Sequence, residues 1–163
     1  MKLTLKNLKI MKSLSEETLC FSATAYVDGK KAFEVSNRGH GGCHEYYAHD
    51  QALMDRADAY AKAQPPYVWA DAPTADHCEV RQIPYDLDML VDDLIDAIEL
   101  EKRVKRLLVK VVMIEDGKIY TFNAPRRLDV FERIKAKYPA GMILNTMRLA
   151  DAIDAIRAVE KAA

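Results

Sequence analysis

Cysteine is scarce in this chain: three residues in 163, Cys20, Cys43 and Cys78, far apart and odd in number. That excludes a disulfide framework and fits a reducing, cytoplasmic setting. No apolar run approaches the roughly 20 residues that a membrane helix needs, so no membrane partner is expected. The first residues, Met1 to Asn7, alternate lysine and threonine with leucine, and no secretory leader is expected from them. Neither sign of charge dominates, with Lys+Arg 24 against Asp+Glu 25 and a formal net charge of -1. The balance argues against direct nucleic-acid binding. Internal repeats and low-complexity tracts are absent.

What is present is enough for a core: half of the residues are hydrophobic. The length predicts a single domain over residues 1–163, with a proline-rich connection at 64–85. Leu3 and Leu5 alternate, then Leu8 and Ile10 continue on the opposite parity, which predicts a strand with a bulge near Asn7-Leu8. Leu19, Phe21, Ala23, Ala25 and Val27 alternate with polar residues as a half-buried strand. Asp28-Gly29 turns it into a partner strand carrying Phe33 and Val35. A three-residue loop, Val27-Asp28-Gly29, pairs Ala23 with Phe33 and Phe21 with Val35. It is preferred here because it leaves one face wholly apolar.

A helix is predicted from about Glu45 to Ala63, with Tyr46, Leu53, Ala57 and Tyr60 on one face and Pro65-Pro66 beyond it. Val68 and Trp69 are expected to anchor the connection, and Glu79 to Ile83 to add an edge strand. Asp86 caps a long helix whose buried stripe is Leu87, Leu90, Val91, Leu94, Ile95 and Ile98. A second hairpin turns at Asp116-Gly117, pairing Val111 with Phe122, Met113 with Tyr120, Ile114 with Ile119 and Glu115 with Lys118. A short amphipathic helix to about Lys137 follows, with Leu128, Phe131 and Ile134 on its apolar side, then a strand at Met142-Ile143-Leu144. Asn145 or Thr146 is expected to cap a last helix with Leu149, Ile153 and Ile156 inward. The predicted class is α+β, an antiparallel sheet built from two Asp-Gly hairpins with helices packed on it, in the order β-β-β-α then α-β-β-α-β-α.

One stretch looks chemical: Ser36-Asn37-Arg38-Gly39-His40-Gly41-Gly42-Cys43-His44-Glu45-Tyr46-Tyr47, with half of the chain's histidines. Read as an anion site, its glycine amides would converge at the start of the following helix, and Arg38, His40 and His44 would add donors. A phosphate or nucleotide would then bind across Arg38, Gly39, His40, Gly41, Gly42, Cys43 and His44, although the spacing is not that of a Walker loop. Read as a metal site, His40, Cys43 and His44 would join His77 and Cys78. Read as a nucleophile, Cys43 would use His40 or His44 as base. Against all three stands a structural reading, in which the glycines turn the chain and Cys43 is a small buried residue.

The run Cys20-Phe21-Ser22-Ala23-Thr24-Ala25-Tyr26-Val27-Asp28-Gly29-Lys30-Lys31, then Val35-Ser36-Asn37 and Gly39-His40-Gly41-Gly42-Cys43, is similar to small proteins encoded by tailed phages and prophages. The Asp116-Gly117 hairpin and Ile143-Leu144-Asn145 share in the likeness. The resemblance implies a class of action and no catalytic residue. Small accessory phage proteins act in the host cytoplasm on host proteins, including defence systems such as CRISPR effectors. The expectation is therefore a non-enzymatic, cofactor-free protein that binds a host protein or complex, in the manner of an anti-CRISPR. Its partner surface is placed on the acidic face at Asp92, Asp93 and Asp96 or at the basic end with Arg103 and Arg106. The runner-up is a nucleotide or phosphate module at the glycine loop, and third comes a zinc- or thiol-dependent enzyme.

Overall fold

The computed structural model describes residues 1–70 and 80–162; His77 and Cys78 lie outside them, as does the side chain of Trp69. The chain gathers into two compact units, Met1–Asp96 and Ala97–Ala163, and each is described by itself. The fold is α+β, built from antiparallel sheets and helices, and it includes both Asp-Gly hairpins.

In the first unit, β1 (Leu3–Ile10), β2 (Phe21–Val27), β3 (Lys30–Asn37) and β4 (Glu45–Ala48) form a sheet in that order. The β1 register shifts between Lys6 and Lys9 as expected, and Asn7 takes a φ of 55 there. Asparagine is among the few residues that tolerate that conformation. The β2–β3 register differs from the expected one. The turn is two residues, with Asp28 at φ 48 and Gly29 at φ 83, so Val27 pairs with Lys30 and Tyr26 with Lys31. The ladder then slips: Ala25 pairs with Phe33, Ala23 with Val35 and Phe21 with Asn37. The extra residue is Ala32, fully buried. One apolar face does result, but a bulge at a small residue delivers it and the turn stays tight. Asp28 holds that turn in place, accepting from the Lys2 amide at 2.8 Å and from Arg56 at 2.9 Å.

The segment after the glycines, expected to be helical from about Glu45, forms no helix at first. Glu45–Ala48 is strand β4, paired with β3 through Val35–Tyr46 and Phe33–Ala48. Strand alternation suits these residues, with Tyr46 packed against Phe33 and Tyr47 exposed. Helix α1 (Gln51–Lys62) starts only where Asp50 accepts from the Leu53 amide at 3.1 Å. The apolar side of the sheet carries Phe21, Ala23, Ala25, Val27, Phe33 and Val35 against Leu53, Ala57 and Ala61 of α1 and Leu87, Val91 and Ile95 of α2 (Leu87–Leu107). Each fully buried phenylalanine contributes about 1.5–3 kcal/mol. Asp86 caps α2 as expected, accepting from the Met89 amide. A two-stranded ribbon, β5 (Tyr67–Ala70) with β6 (Val80–Ile83), stands apart from the four-stranded sheet. Val68 does not anchor it, being 56% exposed.

The second unit contains the rest of α2, then β7 (Val111–Glu115), β8 (Lys118–Phe122), α3 (Leu128–Lys137), β9 (Met142–Ile143) and α4 (Leu149–Ala162). The β7–β8 pairs are those the sequence predicts. Strand β7 is central, in the order β8-β7-β9, and is buried on both faces. Val112 packs with Val104, Leu144, Ala152 and Ile156, while Val111 and Met113 pack with Phe122, Phe131, Ile134 and Tyr138. Leu128, expected inward, is 71% exposed at the first turn of α3. Leu144 to Thr146 is a 3-10 turn rather than strand, and neither Asn145 nor Thr146 caps α4. Asn145 instead accepts from the Val112 amide at 2.7 Å and donates to the carbonyls of Leu108 and Lys110. No helix among the described residues is long and apolar enough to cross a membrane.

Candidate functional site

The glycine loop is organised by Asn37, the last residue of β3, which is 4% exposed. Its Oδ1 accepts from the Gly39 amide and from the Thr18 hydroxyl, both at 2.8 Å. Its Nδ2 donates to the Gly42 carbonyl at 3.2 Å and faces His44 Nδ1 at 3.2 Å. The Thr18 hydroxyl in turn accepts from the Gly41 amide. On the other side of the loop, the Gly39 carbonyl accepts from the amides of Glu16, Glu17 and Thr18 at 2.9, 3.0 and 3.3 Å. Gly39 has no room for a side chain: at φ +88 a Cβ would lie 2.2 Å from the Leu14 carbonyl oxygen.

His44 is the loop's other fixed point. Its side chain is 8% exposed, and Nε2 lies 3.1 Å from Asp92 Oδ1 on α2. Its amide donates to Asp88 Oδ2 at 2.9 Å, while Tyr46 donates its hydroxyl to Asp88 Oδ1 at 2.6 Å. In the neutral ring, Asn37 donates to Nδ1 and Nε2–H donates to Asp92. Burial lowers the pKa of His44, but the hydrogen bond and charge of Asp92, with Asp88 and Asp86, outweigh it and leave the pKa raised. Burial first, and then the bond to Asp88, push the Tyr46 hydroxyl far above its ordinary range, so it stays protonated. Among the described residues, every buried side-chain nitrogen and oxygen has a partner.

This geometry changes what the loop can offer. The amides of Gly39 and Gly41 already donate within the protein, and no helix starts here to add its positive end. Each of the three basic side chains faces a different carboxylate: Arg38 with Glu45 at 3.3 Å, His40 with Glu16 at 3.1 Å, His44 with Asp92. Cys43 is exposed rather than buried, while both nitrogens of the neighbouring His44 are engaged. His40, Cys43 and His44 do not converge, and no group of three metal-ligating side chains occurs among the described residues. The loop acts as a clamp that ties the end of β3 to the segment after β1 and to α2. Arg38, Gly39, His40, Gly41, Gly42, Cys43 and His44 remain neighbours in it, held by Thr18, Asn37 and Asp88, which sequence reasoning did not single out. Asn37 could have been suspected from its place before the glycines; Thr18 and Asp88 are too far off in sequence to give a local signal.

The expected partner surface is partly committed as well. Asp92 accepts from His44, Asp93 accepts from the Tyr85 hydroxyl, and Arg103 pairs with Glu160 at 2.6 Å. Asp96 is exposed, and its pKa is raised by burial of its carboxyl and by the charges of Asp92 and Asp93. Arg106 is exposed and has no carboxylate partner among the described residues. Compared with known proteins, the chain matches no family model, no curated protein and no solved structure.

Proposed function

We propose that this protein works by binding another protein, as a small accessory phage protein acting in the host cytoplasm on a host complex such as a defence effector. The observation that carries the reading is the β5–β6 ribbon. Tyr67 and Ile83 pair across it and are 51% and 37% exposed, and Val68 on the opposite face is 56% exposed. A two-stranded ribbon is marginally stable alone, and apolar groups shown on both faces are costly unless something covers them. Two residues beyond Ile83 come Tyr85 and then the capping Asp86, which opens the acidic run ending at Asp96. A partner that fits would bring an apolar pocket edged by basic groups.

The test uses host lysate and two forms of the chain, wild type and a Tyr67→Ser, Val68→Ser, Ile83→Ser variant. A partner should co-purify with the wild type, form a stable complex by size exclusion, and be lost with the variant at an unchanged melting temperature. Asp96→Lys should slow association, and added salt should weaken it. Absence of any stable complex, or a complex indifferent to the ribbon substitutions, overturns the reading.

A further inference from the structure

The net charge of -1 is a sum over two opposed units. Residues 1–96 carry 10 Lys+Arg against 16 Asp+Glu, and residues 97–163 carry 14 against 9, which gives -6 and +5. The second unit is therefore positively charged enough to attract polyanions, although the whole chain is near neutral.

Within that unit, a groove of about 580 Å³ runs between the end of β8 and one side of α3. That size lies within the range of about 300–1,000 Å³ usual for small-ligand sites. Its apolar part, which also holds Pro125, Val130 and Ile134, includes two aromatic rings: Phe122 and Tyr138 have ring centroids 6.3 Å apart, inclined at 44°. Its polar part is basic. Arg133 and Lys137 stand one helical turn apart on the same side of α3. Both are exposed and without a carboxylate partner among the described residues. The Lys137 ammonium sits 5.4 Å from the Tyr138 ring centroid, so charge and ring share one place. Arg127 lines the mouth, and the acid beside it, Asp129, is paired with it at 2.9 Å. Arg126 reaches back to the Leu108 carbonyl, two residues in sequence from Arg106 and from Lys110, neither of which has a carboxylate partner among the described residues.

A simple anion would use the bases and leave the rings idle. An apolar ligand would use the rings and leave two charges facing it. A nucleotide uses both. We propose that this groove binds a nucleotide unit, with its phosphate on Arg133 and Lys137 and an unpaired base against Phe122 and Tyr138, either free or within a single strand. The proposal is independent of the protein-binding reading, which rests on the ribbon of the first unit.

Fluorescence anisotropy of the full chain with a labelled 12-nucleotide single strand, titrated from about 50 to 200 mM salt, tests it. Arg133→Glu with Lys137→Glu should weaken binding at least about tenfold and lower the log–log salt slope by about two. Tyr138→Leu keeps an apolar side chain in the packing; it should weaken binding about fivefold or more and leave the slope unchanged. Arg157→Glu with Lys161→Glu changes the charge equally on α4, away from the groove, and should change affinity less than twofold. Competition by uridine monophosphate but not by inorganic phosphate would identify the free nucleotide as sufficient; binding of the strand alone would identify the single strand. Equal binding of a duplex, an equal loss with the α4 control, equal competition by phosphate, or no binding of any of these at about 0.1 mM would each overturn the proposal.

Discussion

Each unit is closed by one asparagine, and the two do their work differently. Asn37 is buried and holds a glycine loop through two amide or hydroxyl donors, a carbonyl and a histidine ring. Asn145 is half-buried and holds the passage from α2 into β7 through backbone groups alone, one amide and two carbonyls. Both stand where the chain leaves regular structure and backbone groups need partners. The difference is that the first clamp contains a titratable ring, and that ring belongs to the acidic unit. The second is chemically inert and belongs to the basic unit. A clamp of backbone bonds only positions; a clamp that includes His44 also couples position to protonation.

The largest expected effect breaks the first clamp itself, and the matching change in the second sets the scale. Asn37→Ala strands a hydroxyl, an amide, a carbonyl and a ring nitrogen, each worth about 1–3 kcal/mol when left unpaired and not additive, so a loss of about 4 kcal/mol is expected. Asn145→Ala leaves three backbone groups that solvent reaches in part, and about 2 kcal/mol is expected. Urea unfolding with hydrogen exchange read at β2 and β3 for the first, and at β7 for the second, measures both. An equal loss in the two variants would mean that burial of the first clamp counts for little.

A second pair of effects sharpens the picture of the first clamp. Gly39 and Gly29 both have positive φ, but only Gly39 is hemmed in, with a backbone oxygen where a Cβ would go; nothing lies within 4 Å at Gly29. Gly29→Ala should cost only the strain of the turn, about 1 kcal/mol. Gly39→Ala should cost about 3 kcal/mol, because backbone must shift as well. Equal melting temperatures for the two variants would show that the loop yields easily and is no clamp.

Much of the fold was legible in the sequence, and the misses have a common cause. The β7–β8 register follows from local facts, a two-residue Asp-Gly turn and alternation on both faces, and it is found as read. The β2–β3 register was not legible because the slip at Ala32 is set by what Phe33 must pack against, across the sheet. Residues 45–48 read as helix because Tyr46, Leu53 and Ala57 have helical spacing, yet β3 offers Tyr46 a strand partner first. The candidate site suffered in the same way. Its glycines and histidines stood out, but the groups that engage them, Thr18 and Asp88, are distant in sequence and of ordinary type. The groove beside α3 was hidden by arithmetic, since a whole-chain charge cancels the two units.

The smallest expected effect tests whether the first clamp senses pH. Burial against Phe21, with ring centroids 4.9 Å apart, opposes the charged form of His44; Asp88 and Asp92 of α2 and the capping Asp86 favour it. The Asn37 amide opposes it too, because protonation of Nδ1 would turn an accepted bond into two facing donors. Asn37 cannot simply flip, as its Oδ1 already serves Gly39 and Thr18. The carboxylates prevail, so the folded-state pKa lies above the unfolded value of about 6.5. A raised histidine pKa stabilises fully below the unfolded value, and the contribution is lost as pH rises through the folded one. Across that window Tyr46 stays neutral, so a comparison of wild type with His44→Gln isolates the ring. The stability gap between them should be wider at pH 6 than at pH 8.5, while protection at β7, held by Asn145, should keep its free energy over the same range. A gap that is flat or that widens with pH would mean that the Asn37 donor, and not the acidic helix, decides the state of the ring.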